Sequence, residues 1–84
     1  ERIQRMQELL ESALAPTALE IVDQSHLHAG HAGAATGRGH FDLTIRAASF
    51  AGKTPIQRHR MVFEALGDMM QTDIHALSIR AETP

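Results

Sequence analysis

Three of the chain's six histidines fall within His26-Leu27-His28-Ala29-Gly30-His31, and this crowding is the first place to look for chemistry. Neutral imidazoles bind borderline and soft metals, and the glycines around this His-x-His-x-x-His run leave the backbone free to turn several rings toward one point. The same spacing also suits solvated loop histidines that hold nothing. His75 is placed differently. It stands in phase with apolar neighbours at the start of a strand-like segment, which reads as a partly buried histidine whose ring nitrogens are satisfied by backbone groups. His59 lies between Arg58 and Arg60, where flanking guanidinium charges repel a metal cation, so it reads as a packing or surface residue.

The chain contains no cysteine, which excludes a disulfide framework, a thiolate nucleophile and any thiolate metal site made by this chain alone. A soft-metal site would have to use histidine. A second chemistry is suggested by Lys53, Arg58 and Arg60, clustered near an expected helix start where backbone amides and the helix dipole favour anions such as a nucleic-acid phosphate. The competing reading is a solvated basic face. Eight Lys and Arg against ten Asp and Glu, a formal charge of −2, give no global field to gather nucleic acid or anionic lipid. With three Phe and neither Trp nor Tyr, the chain has little aromatic surface on which bases could stack. No spacing supports a Ser-His-Asp or paired-carboxylate arrangement, so a non-enzymatic role is expected.

These residues must be carried by a small scaffold. At 84 residues, residues 1–84 are expected to form one domain, near the size at which only ~60% of the unfolded surface is buried. No apolar run approaches the ~20 residues of a membrane span, and no secretory signal pattern is seen. Location in the cytoplasm is therefore expected, with an organelle matrix as the alternative. Ile3, Met6, Leu9, Leu10 and Leu14 recur at helical spacing, which predicts an amphipathic helix from Arg2 to Leu14 that Pro16 ends. Leu19 to Gln24 reads as a first strand and Ser25 to Gly39 as a long mobile loop. Phe41, Leu43, Ile45 and Ala47 alternate with His40, Asp42, Thr44 and Arg46, the signature of a strand with one face on a core, expected antiparallel to the first. Thr54-Pro55 opens a second helical region with apolar residues from Ile56 to Met70, which Gly67 weakens without clearly breaking, so one helix or two can form there. Ile74 to Ala81 closes the chain as a strand in which His75, Leu77, Ile79 and Ala81 share a face. The order helix-strand-strand-helix-strand predicts an α+β fold with helices on one face of a three-stranded sheet.

Leu19-Glu20-Ile21-Val22-Asp23-Gln24-Ser25, His28-Ala29-Gly30-His31, Gly39-His40-Phe41, Phe50-Ala51-Gly52, Arg58-His59-Arg60 and Ile74-His75-Ala76-Leu77-Ser78-Ile79 together resemble the successive motifs of the BolA family. The resemblance runs over nearly the whole chain, and its specificity lies in the order and spacing of motifs that are individually weak. It implies a fold similar to a class II KH domain, with a mixed three-stranded sheet and a helical region often divided into a short turn and a longer helix. Thr54 to Arg58 would then be the short piece. It also implies a heterodimer with a monothiol glutaredoxin and a 2Fe-2S cluster held between the glutaredoxin cysteine, glutathione and two residues of this chain. By that resemblance His75 becomes a ligand. The second would stand three residues beyond Ser25, at His28, with His31 its competitor and His26 a weaker candidate. The resemblance equally supplies a rival, a DNA-binding transcriptional regulator using Lys53, Arg58 and Arg60. This sequence departs from a nucleic-acid-binding KH loop, keeping Gly52 but placing Pro55 where the second glycine would fall. A homodimer of the free chain is compatible with either reading.

Overall fold

The computed structural model describes residues 1–28 and 37–84. Helix α1 (Arg2–Leu14) begins where the Glu1 carboxylate accepts from the backbone N–H groups of Ile3 and Gln4, capping two donors that the first turn would leave open. It ends at Ala15, whose φ of 46° is left-handed, and Pro16 then prevents continuation. Met6, Leu10 and Leu14, spaced by four, form its buried stripe.

Strands β1 (Ala18–Asp23), β2 (Gly39–Arg46) and β3 (Ile74–Glu82) make one sheet in the order β1-β2-β3. β1 and β2 are antiparallel, with Ile21 opposite Leu43, while β2 and β3 are parallel, with Leu43 opposite Ile79. A parallel pair needs a crossover. That crossover is helical: α2 (Pro55–Leu66) and α3 (Met69–Thr72).

Phe41, Leu43 and Ile45 of β2 point into the core, joined by Met6 and Leu10 of α1, Val62 and Leu66 of α2, Met69 of α3 and Ile74 of β3. All are at most 2% exposed. The helices therefore cover one face, and the other presents Glu20, Val22, Asp42, Thr44, Ser78 and Arg80. Phe50, fully buried on the 3-10 turn Ala48–Phe50, closes the core beneath the β2–α2 connection. Among the described residues no helix is long and apolar enough to cross a membrane.

The expected class, a small α+β fold with a mixed three-stranded sheet, is the one observed. One local expectation left open is settled and one is corrected. Gly67 does break the second helical region: its φ of 55° and ψ of −128° lie outside the helical range, and the chain restarts as α3. The short piece thus follows the long helix instead of preceding it, and Thr54 to Arg58 is the first turn of α2. That turn is closed by a reciprocal cap, in which Gln57 N–H donates to Thr54 Oγ1 at 3.1 Å and Thr54 N–H to Gln57 Oε1 at 2.9 Å.

Candidate functional site

The parallel register of β2 and β3 slips by one residue at its start. Gly39 is opposite Ile74 and His40 is opposite Ala76, so His75 is the extra residue of a bulge. This corrects the expected phase. Ile74 points into the core, Leu77, Ile79 and Ala81 follow on the core face, and His75 is exposed instead of partly buried among them.

What His75 meets is His40. The two ring centroids are 5.1 Å apart, with planes inclined by 50°. His40 itself is only 9% exposed, the one buried polar side chain among the described residues. Its placement begins at β1. Gln24 N–H donates to His40 O at 2.7 Å, extending the β1–β2 ladder by one step. The hydroxyl oxygen of Ser25 then accepts from His40 N–H at 3.1 Å, standing in for the next backbone carbonyl.

Ser25 is held in turn by Asp23, whose Oδ1 accepts from Ser25 N–H at 2.8 Å. The Ser25 hydroxyl and then its backbone amide pull the Asp23 carboxyl below its ordinary value, with smaller help from His26 and Arg2. Gly39 is required by this packing. A Cβ there would fall 2.6 and 2.8 Å from the Phe41 ring atoms and 3.0 Å from Ser25 Oγ.

Arg38 anchors the chain entering β2, its Nη2 donating at 2.6 Å to the carbonyls of both Met70 and Ile74, one residue before His75. Across the same end of the sheet, Arg2 and Arg5 of α1 pair with Asp73 at 3.4 and 3.6 Å, and Arg2 also donates to Gly37 O. The start of α1, the entry to β2 and the entry to β3 are thereby fastened around the histidine pair.

The remaining candidates fall as follows. His28 closes the 3-10 turn Ser25–His28, about 6 Å along the turn from Ser25 at the usual ~2 Å rise, and the structure describes its backbone alone. His31 lies outside the described residues. His26 is exposed and His59 half-buried on α2. Among the described residues, no group of three or more His, Asp or Glu is gathered that would hold a metal by itself.

The basic cluster is divided. Lys53 and Arg60 line a shallow groove with Gln57, Met61 and Glu64. Arg58 turns away, its Nε donating to Lys53 O and its Nη1 to Ala81 O, both at 3.0 Å. The capping interactions of Thr54 and Gln57 also occupy amides that an anion at the start of α2 would use.

Sequence reasoning missed His40. It stands on the solvent side of a period-two pattern, and its one sequence signal is the Gly39-His40-Phe41 motif. Its contact with His75, 35 positions further along the chain, depends on the register of two strands.

A family model described as "BolA-like protein" matches residues 10–84. The SufE-like protein 1, chloroplastic/mitochondrial, of Arabidopsis thaliana is 45% identical over 95% of this chain, which spans 23% of that protein. BolA-like protein 1 of Mus musculus is 44% identical over 89% of the chain, which spans 53% of it, about half that relative's length. The DNA-binding transcriptional regulator BolA of Escherichia coli K12 is 34% identical over 95% of the chain and 73% of its own. In three dimensions, the BolA domain of SufE1 from Arabidopsis thaliana superposes with a TM-score of 0.86 at 41% identity, covering all of this chain and 93% of that one. By fold, by sequence and by the motifs around His75 and Ser25, the chain belongs to the BolA-like family.

Proposed function

We propose that the protein binds a monothiol glutaredoxin and shares a 2Fe-2S cluster with it, in iron–sulfur trafficking or iron regulation, with His75 as one ligand. The observation that carries this reading is the bulge that lifts His75 out of the core phase and leaves its ring exposed on the buried His40. An exposed imidazole at a braced sheet end fits ligation shared with a second molecule. The donor set fits as well, because this chain offers nitrogen and the glutaredoxin and glutathione would bring sulfur.

His28, on the turn fastened to His40 through Ser25, would supply the second nitrogen, with His31 the competitor. When bound, such a cluster would add electron-transfer capacity, at a potential raised by imidazole ligation. This chain's part is to present imidazole nitrogens, which bind a metal in their neutral form.

The test is visible absorption and circular dichroism of the protein mixed with a monothiol glutaredoxin, glutathione, iron and sulfide. A heterodimer spectrum distinct from that of the glutaredoxin alone, and lost in His75→Ala, is expected. His28→Ala and His31→Ala then assign the second ligand. A spectrum that never departs from glutaredoxin alone would overturn the reading, and an iron-independent complex would leave a pure interaction module.

A second reading, DNA-binding regulation, is favoured by the similarity to the Escherichia coli regulator and by the Lys53–Arg60 groove. It predicts binding that falls steeply with salt and is lost in Lys53→Ala with Arg60→Ala. Glu64 in the same groove and the engaged Arg58 count against it.

A further inference from the structure

We infer that His40 and Ser25 are positioning residues for His75: the Ser25 hydroxyl fixes the backbone of His40, and the buried His40 ring sets the orientation of the exposed His75 ring. This rests on the proposed role of His75 and goes beyond it, since it assigns work to two residues that need not touch a cluster.

An exposed histidine on an edge strand samples several rotamers unless something holds it. Among the described residues, His40 does so. The rings stand 5.1 Å apart in a tilted pair, within the range of favourable aromatic contact. His40 can serve as a platform because it is itself fixed. It is 9% exposed, its carbonyl accepts from Gln24 N–H at 2.7 Å and its N–H donates to Ser25 Oγ at 3.1 Å.

Ser25 does not drift, because Asp23 accepts from its amide at 2.8 Å. Gly39 completes the arrangement, since any side chain there would strike both Ser25 Oγ and the Phe41 ring. The linkage Asp23–Ser25–His40–His75 thus joins the turn after β1 to the bulge of β3. A donor held in this way needs little reorganisation when a partner arrives, and residues that orient a ligand typically contribute ~10–100-fold to metal affinity.

The experiment has two arms. In the free protein, NMR of the His75 ring and its χ1 couplings is compared among wild type, His40→Ala, His40→Phe, Ser25→Ala and Ser25→Thr. One dominant rotamer with a ring-current-shifted imidazole is expected in wild type, kept in His40→Phe and Ser25→Thr, and averaged in His40→Ala and Ser25→Ala with the remaining amide spectrum in place. Unchanged His75 signals in both alanine variants would overturn the inference. Should His40→Ala fail to fold, Ser25→Ala against Ser25→Thr decides.

In the second arm, each variant is mixed with glutaredoxin, glutathione, iron and sulfide, and loss of the heterodimer spectrum to a chelator is followed. His40→Ala is expected to lose it about tenfold faster than wild type or more, and His40→Phe at nearly the wild-type rate. Loss in His40→Phe equal to that in His40→Ala would mean that His40 is a ligand, and would overturn the positioning role. If wild type forms no heterodimer cluster, the proposed function fails while the NMR arm still decides the inference.

Discussion

Arg58 reaches from the first turn of α2 to the carbonyl of Ala81 near the end of β3, 3.0 Å away, and its Nε donates to Lys53 O at the same distance. One guanidinium thereby fastens the turn before α2, the helix and an edge strand. In sequence, Arg58 and Arg60 flank His59 as an apparent pair of phosphate contacts. In space they differ, because Arg58 is half-buried and engaged while Arg60 is exposed.

Arg58→Ala is therefore expected to lower stability by about 1–3 kcal/mol, the range for charge-assisted bonds to partly buried carbonyls. Arg60→Ala should stay within about 0.5 kcal/mol of wild type. Paired urea titrations check this. An Arg58→Ala variant as stable as Arg60→Ala would show that the two bonds contribute nothing net.

Gly39→Ala should be costly although the position is extended and tolerates a side chain by backbone conformation. The added methyl would meet the Phe41 ring at 2.6 and 2.8 Å and Ser25 Oγ at 3.0 Å. Overpacking of this kind costs about 1–3 kcal/mol. Thermal unfolding should show the drop, at ~4–8 °C per kcal/mol for a domain of this size. Because relief would push Ser25 away from His40, a weakened His40 amide protection in hydrogen exchange is expected alongside it.

What could be read in the sequence is what depends on neighbours in the chain. The Met6, Leu10, Leu14 stripe and the Phe41, Leu43, Ile45 alternation each report a local period, and both elements form where that period predicts. Gly67 was less legible, because glycine inside an apolar helical pattern is compatible with either continuation or a break; its positive φ ends α2, and α3 then carries Met69 into the core. His75 was misplaced in phase because period-two reasoning assumes an unbroken ladder, and a single bulged residue inverts every assignment before it. The BolA-like resemblance drew attention to His75, but the pairing with His40 is a product of register alone.

Acid should weaken the fold through two carboxylates. Thr72 Oγ1 donates to Asp73, which Arg5 and Arg2 also face, and these groups hold its carboxyl below the ordinary 3.8. Ser25 does the same for Asp23, also from 3.8. A carboxyl depressed in the folded state means that the unfolded chain binds more protons as pH drops, so the stabilisation is complete above the ordinary value and is lost as pH falls through the folded one. Urea midpoints should thus fall below about pH 4. Asp73→Asn should flatten that acid limb, and a limb as steep as in wild type would place its origin elsewhere.

His75→Ala should leave stability within about 0.5 kcal/mol of wild type, because the side chain is exposed and the bulge is defined by the backbone and by Ile74, which is fully buried beside it. Ile74→Ala, by contrast, should cost about 2–5 kcal/mol by emptying part of the core. This difference is what makes the histidine variant informative. If His75→Ala unfolds at the wild-type urea midpoint yet abolishes the heterodimer spectrum, the loss is assigned to ligation; if its midpoint falls as far as that of Ile74→Ala, His75 is a structural residue and the spectral result carries no weight.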